Sequence, residues 1–214
     1  MKSWSTIITI SRIFYLTALL LSSEVQSHIL DRTVFVLMTQ EAHVKIGENS
    51  KQELNNNLKE VGAKSIIVSL HKDLPSHGGW TIFPLLQPLL KKYEDQADWF
   101  VFLDEAGRVE PSLLAKVLGK YDPKEHLFLG KALQDKDSVI IHHYSQDYEF
   151  KYPDFSAGFV FSLQLAQSLS KEIKEKNFDL EHFPKDFSIG NYLISFYTIY
   201  LLMVFLRSKN AFIF

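Results

Sequence analysis

The chain has 214 residues, 46% of them hydrophobic, and 23 Lys and Arg are set against 25 Asp and Glu. That length supports one domain with a substantial core, and the near-balanced charge argues against nucleic-acid binding, which calls for a clustered basic excess. With no cysteine there are neither disulfides nor thiolate metal sites, so any bound cation must be held by carboxylates, imidazoles or water.

The N-terminus has the anatomy of an export signal. Lys2 and Arg12 flank a polar-to-apolar stretch, Ile13 to Leu21 is a short apolar core, and Val25 and Ser27 suit cleavage before His28. Residues 1–27 are therefore expected to be a signal peptide. A type II anchor is the second choice, because the apolar core falls short of the roughly 20 residues a span needs.

Thr33 to Met38 is apolar on both faces, like a buried parallel strand. Ser50-Lys51-Gln52-Glu53 reads as a capping box that opens a helix, Leu54, Leu58 and Val61 form its stripe, and Gly62 closes it. Ser65 to Leu70 is the next strand. His71 to Gly79 reads as a loop. Trp80 to Tyr93 has a helical apolar face, but Pro84 and Pro88 predict a kink or two short turns.

Trp99-Phe100-Val101-Phe102-Leu103-Asp104-Glu105 is the most informative stretch. It reads as a buried strand that delivers two acids to a sheet edge, and ligand crevices in open α/β sheets lie outside the carboxyl ends of the strands. A carboxylate pair there could hold a divalent cation. Adjacent strand residues face apart, however, so both acids can serve one cation only if the chain turns. A solvated acidic turn is the competing reading.

Gly107 permits that turn, Pro111 opens a helix whose buried face is Leu113, Leu114, Val117 and Leu118, and Tyr121-Asp122-Pro123 ends it. His126 to Gly130 and Ser138 to His142 are short strands. His142 and His143 are adjacent on a strand and face apart, so they are not expected to share a cation. Asp147, Glu149 and Asp154 lie in an aromatic, acidic loop where a general base could sit. Ser156 to Phe161 is a small-then-apolar strand that lets a ligand or backbone approach, and Leu163 to Lys176 is an amphipathic helix. Tyr192 to Leu206 is apolar and marginal for a span. Residues 190–214 read as an aberrant hydrophobic tail, either intron read-through or a membrane segment. The alternation predicts an α/β fold with a mixed sheet and helices on both faces.

Several linked strings resemble the fringe-like β1,3-glucosyltransferases. They are Trp99 to Glu105, Tyr121-Asp122-Pro123, Phe128-Leu129-Gly130-Lys131-Ala132-Leu133, Ile140 to Tyr144 and Phe150 to Gly158, with Gly79 to Leu86 similar as well. The resemblance implies a GT-A-like, Rossmann-related domain over residues 28–189. It implies the N-terminal one of two tandem units, with the cation motif and catalytic base intact in the second, C-terminal unit. Transfer of glucose from UDP-glucose to O-linked fucose on folded thrombospondin type 1 repeats is the implied activity. Mn²⁺ is the implied cofactor, and the lumen or membrane of the endoplasmic reticulum the implied location.

Carried onto this sequence, the resemblance puts Asp104 and Glu105 at the metal-motif place. Tyr152, Asp154, Phe155, Ser156, Ala157 and Gly158 fall on the substrate side. Ala106 stands where a further acid is expected and Ser156 where glycine is, so no catalytic residue is assigned and a supporting role is expected. Membrane association through the N-terminus or the tail is a further expectation. The alternative is a glycan- or protein-binding module of the secretory pathway without catalysis.

Overall fold

A computed structural model describes residues 24–74, 82–134, 151–153, 157–175 and 202–205. Residues 24–31 are helical (α1). Then come β1 (Thr33–Met38), a 3-10 turn (Glu41–His43), α2 (Val44–Glu60), β2 (Ile66–Ser69) and α3 (Leu70–Asp73). α4 (Ile82–Tyr93), β3 (Trp99–Asp104), α5 (Pro111–Leu118), β4 (Leu127–Gly130) and β5 (Ala132–Gln134) follow. The last described elements are β6 (Lys151–Pro153), β7 (Phe159–Ser162), α6 (Leu163–Glu175) and β8 (Leu202–Phe205).

One mixed sheet has the order β2-β1-β3-β7-β4-β8, and β5 pairs with β6 in a separate ribbon. β1 runs parallel to both β2 and β3, whereas β7 is antiparallel to β3 and β4. The α/β class and the helices on both faces are as expected. Strand alternation divides the core in two. Val34, Val36, Phe100, Phe102, Phe128, Phe159 and Phe161 pack with α4 and α6. Phe35, Leu37, Trp99, Val101, Leu103 and Val160 pack with Leu54 and Leu58 of α2 and with α5. Phe102 and Phe159 stack at 4.9 Å between ring centroids, a favourable offset arrangement of two fully buried rings. At the amino end of β1, Arg32 grips Asp98 with contacts of 2.8 and 2.9 Å.

α2 departs from the sequence expectation. It begins at Val44, so Ser50 is a mid-helix residue rather than a cap. The misleading signal is Gly47, which normally disfavours a helix interior. Here glycine is required by packing, because a β-carbon at 47 would lie 2.5 Å from Thr39 Cγ2. The far end is as expected. Gly62 has φ of 73°, its N–H donates to Lys59 O at 3.0 Å, and Ala63 N–H donates to Leu58 O at 2.9 Å. Those two bonds form a Schellman motif.

Two further expectations are corrected. The Pro84–Pro88 segment is one helix over Ile82–Tyr93 rather than two short turns; Pro88 lies inside it, and Pro84 is in its first turn, where the missing N–H has no intrahelical acceptor to lose. In α5, Leu113 is exposed, and Ala115 joins Leu114, Val117 and Leu118 on the buried face. Pro111 does open α5, and the Glu110 side chain accepts from Ser112 N–H.

Ser138 to His142, His143, Asp147, Glu149 and the signal-like residues 1–23 lie outside the described residues, as do all of 190–214 except β8. β8 is a strand parallel to β4. Among the described residues no helix is long and apolar enough to cross a membrane.

Candidate functional site

β1, β2 and β3 end on one edge of the sheet, and their following residues form the candidate site. Thr39 follows β1, His71 lies in α3 directly after β2, Asp104 ends β3, and Glu105 opens the turn that follows. The antiparallel register of β3 and β7 pairs Phe102 with Phe159. The sheet thus brings Asp104, Ala157 and Gly158 to one edge. Gly158 has φ of 74°, a left-handed conformation suited to glycine at the start of β7. Asp154, Phe155 and Ser156 lie outside the described residues. Tyr152 is in the β5–β6 ribbon, paired with Leu133.

The two acids have different partners, and the chain turns between them and Gly107. Asp104 continues the register of Phe100 and Phe102, on the face covered by α4 and α6. Its Oδ1 accepts the Glu105 N–H at 2.8 Å, and its carbonyl accepts Gly107 N–H at 2.9 Å, which closes a tight turn. Gly107 is needed there, since a β-carbon would lie 3.0 Å from that carbonyl.

Glu105 turns to the other face and is held by α2 and the turn before it. Its Oε1 pairs with His43 Nδ1, and its backbone carbonyl accepts the Ser50 hydroxyl at 2.6 Å. The Glu105 side chain is only 13% exposed, while His43 is half-exposed at 49%. Glu105 Oε2 is buried without a hydrogen-bond partner among the described residues. Arg108 completes the arrangement. Its Nε pairs with Glu53 at 2.7 Å, and its Nη1 donates to Ser50 Oγ at 3.3 Å and to Ala106 O at 3.2 Å.

A second cluster sits beside it. His71 Nδ1 and the Thr39 hydroxyl are 2.7 Å apart, and His71 Nε2 is buried without a partner among the described residues. Lys72 of α3 pairs with Glu48 of α2 at 2.7 Å. The Lys72 ammonium holds the Glu48 carboxyl below its ordinary range through a hydrogen bond, and Glu48 raises Lys72 in return.

A divalent cation asks for several converging oxygen or imidazole ligands. Among the described residues no three His, Asp or Glu side chains converge on such a point. Glu105 Oε1 is taken by an imidazole, and the Ala106 carbonyl is taken by a guanidinium. The described residues therefore form no cation site of three such ligands. Sequence reasoning missed His43, Ser50, His71 and Arg108. His43 and Glu105 are 62 positions apart, and no local pattern marks them as partners.

A family model described as Fringe-like matches residues 84–205. The chain is 35% identical over 161 residues to a protein named beta-1,3-glucosyltransferase from Homo sapiens, covering 70% of this chain and 32% of that protein. It is 36% identical over 168 residues to the Mus musculus protein of the same name, covering 72% and 34% respectively. The chain thus spans about a third of the length of these curated relatives.

Proposed function

Because this chain belongs to the Fringe-like family, we propose that it is the N-terminal GT-A-like unit of a β1,3-glucosyltransferase and that it supports catalysis rather than performing it. The observation that carries the reading is the 35% identity over 161 residues to a protein of that name. The complete protein would move glucose from UDP-glucose to O-linked fucose on folded thrombospondin type 1 repeats. In that step an acceptor hydroxyl attacks the anomeric carbon, a carboxylate base takes its proton, and the bond to UDP breaks with inversion. Mn²⁺ would bind in the second unit and supply charge stabilisation for the departing nucleotide.

The edge chemistry supports the reading of a supporting role. Asp104 and Glu105 diverge, and Ala106 contributes no carboxylate between them and Gly107. The unit is then available to grip the acceptor domain, with Tyr152 to Gly158 as its substrate side. The signal-like segment before His28 supports entry into the secretory pathway and residence in the endoplasmic reticulum.

Calorimetric titration of the purified chain with an O-fucosylated thrombospondin type 1 repeat tests the grip. Saturable binding, weakened at least tenfold by Tyr152→Ala, is expected. Absence of binding, or binding indifferent to that substitution, overturns the assigned acceptor face.

A further inference from the structure

We infer that the carboxyl edge of β3 in this chain is not a cation site but a clasp that ties the β3 turn to α2, with Glu105 as its central positioning residue. The inference rests on reading Asp104 and Glu105 as the place of the family's cation motif. It concerns what these side chains do instead.

Three features point the same way. First, Glu105 is engaged at both its carboxylate and its carbonyl by groups of the α2 region, namely His43 and Ser50. Recruiting Oε1 to a cation would leave the His43 ring without this partner. Second, a guanidinium already occupies the turn. Arg108 is held by Glu53 and donates to the carbonyl of Ala106, the position where a third acid would stand. A divalent cation there would face a fixed guanidinium at close range, with the repulsion this entails. Third, the clasp is continuous. Glu53, Arg108, Ser50, Glu105 and His43 form one chain of contacts from the middle of α2 back to its start. Networks of this kind fix the relative placement of the elements they join. The clasp leaves out Asp104, which ends β3 on the sheet edge where Ala157 and Gly158 lead into β7.

The two arrangements respond oppositely to neutralising Glu105. Converging carboxylates of an empty cation site repel one another, so Glu→Gln there raises the melting temperature, and the cation raises it further for the unmodified protein. A clasp loses a charge-assisted contact instead. Thermal unfolding of the purified 214-residue chain, with and without millimolar MnCl₂, separates the two. Electron paramagnetic resonance of the aquo-Mn²⁺ signal on the same samples reports binding directly, independently of acceptor recognition or glucose transfer.

The clasp predicts a melting temperature unchanged by Mn²⁺. It also predicts a loss of about 2–4 °C or more in Glu105→Gln, a comparable loss in His43→Ala, and a double variant much less destabilised than the sum of the two. The Mn²⁺ signal should show no depletion that depends on Asp104 or Glu105. Stoichiometric depletion abolished by Asp104→Ala or Glu105→Gln, or a melting temperature raised by Glu105→Gln, overturns the inference. Should Glu105→Gln fail to fold, His43→Ala and the Mn²⁺ titration of the unmodified chain still decide it.

Discussion

Ser50, in the middle of α2, donates its hydroxyl to the backbone carbonyl of Glu105 at 2.6 Å, across 55 positions of sequence. Serine is an ordinary helix former at best, and here its side chain is 4% exposed and serves another element. Ser50→Ala leaves a carbonyl at the β3 turn without this donor and removes the acceptor for Arg108 Nη1. A loss of about 1–2 kcal/mol in unfolding free energy is expected, read from urea denaturation midpoints. A change within error would show that water replaces the hydroxyl at no cost.

Gly47 is a packing residue, not a helix defect. Gly47→Ala gains about 1 kcal/mol of helix propensity but drives a methyl group to 2.5 Å from Thr39 Cγ2. Overpacking of this kind costs about 1–3 kcal/mol, so the variant should be net destabilised. Thr39→Ser removes the clashing methyl while keeping the hydroxyl beside His71. The double variant should recover most of the loss, and a double variant no better than Gly47→Ala would place the strain elsewhere.

Gly62 tests backbone strain alone. No atom lies within 4 Å of its missing β-carbon, yet its φ is 73°. Gly62→Ala should cost about 1–2 kcal/mol through left-handed strain, and Gly62→Asn less, because asparagine tolerates that region. Equal costs for the two variants would contradict the assignment of the loss to φ.

The Glu48–Lys72 pair gives a pH prediction of definite sign. Lys72 holds the Glu48 carboxyl below its ordinary value of 4.5, so the pair's contribution is present above that pH and fades as the pH falls through the lower folded value. Glu48 raises Lys72 above its ordinary 10.5, so the contribution persists below that pH and is lost as the pH rises through the higher folded value. Both side chains are solvent-exposed, so salt should suppress the effect. Glu48→Gln should flatten both the acid and the alkaline limb of the stability profile, and only at low ionic strength. A change centred near neutral pH would contradict this origin.

Much of the frame was legible from local pattern. β1 and β3 are continuous apolar runs buried on both faces, and such runs leave few alternatives. Pro111 marked the start of α5, and Gly62 the end of α2, through backbone rules that need no tertiary context. The first half of α2 was illegible because Gly47 and Ser50 are chosen by contacts with Thr39 and Glu105, which are distant in sequence. Leu113 misled because helical spacing gives a stripe without saying where it stops. At the site, the turn after Asp104 followed from Gly107. The identity of Glu105's partners did not, since His43 and Ser50 meet it only once β1, α2 and β3 are assembled.

The most direct test of the supporting role is glucose transfer by the purified chain alone, supplied with UDP-glucose, Mn²⁺ and an O-fucosylated thrombospondin type 1 repeat and read by intact mass. The expected result is a repeat that remains unglucosylated while still binding the chain. Addition of glucose to the fucose, lost in Asp104→Ala, would contradict the account and make this unit a catalyst in its own right.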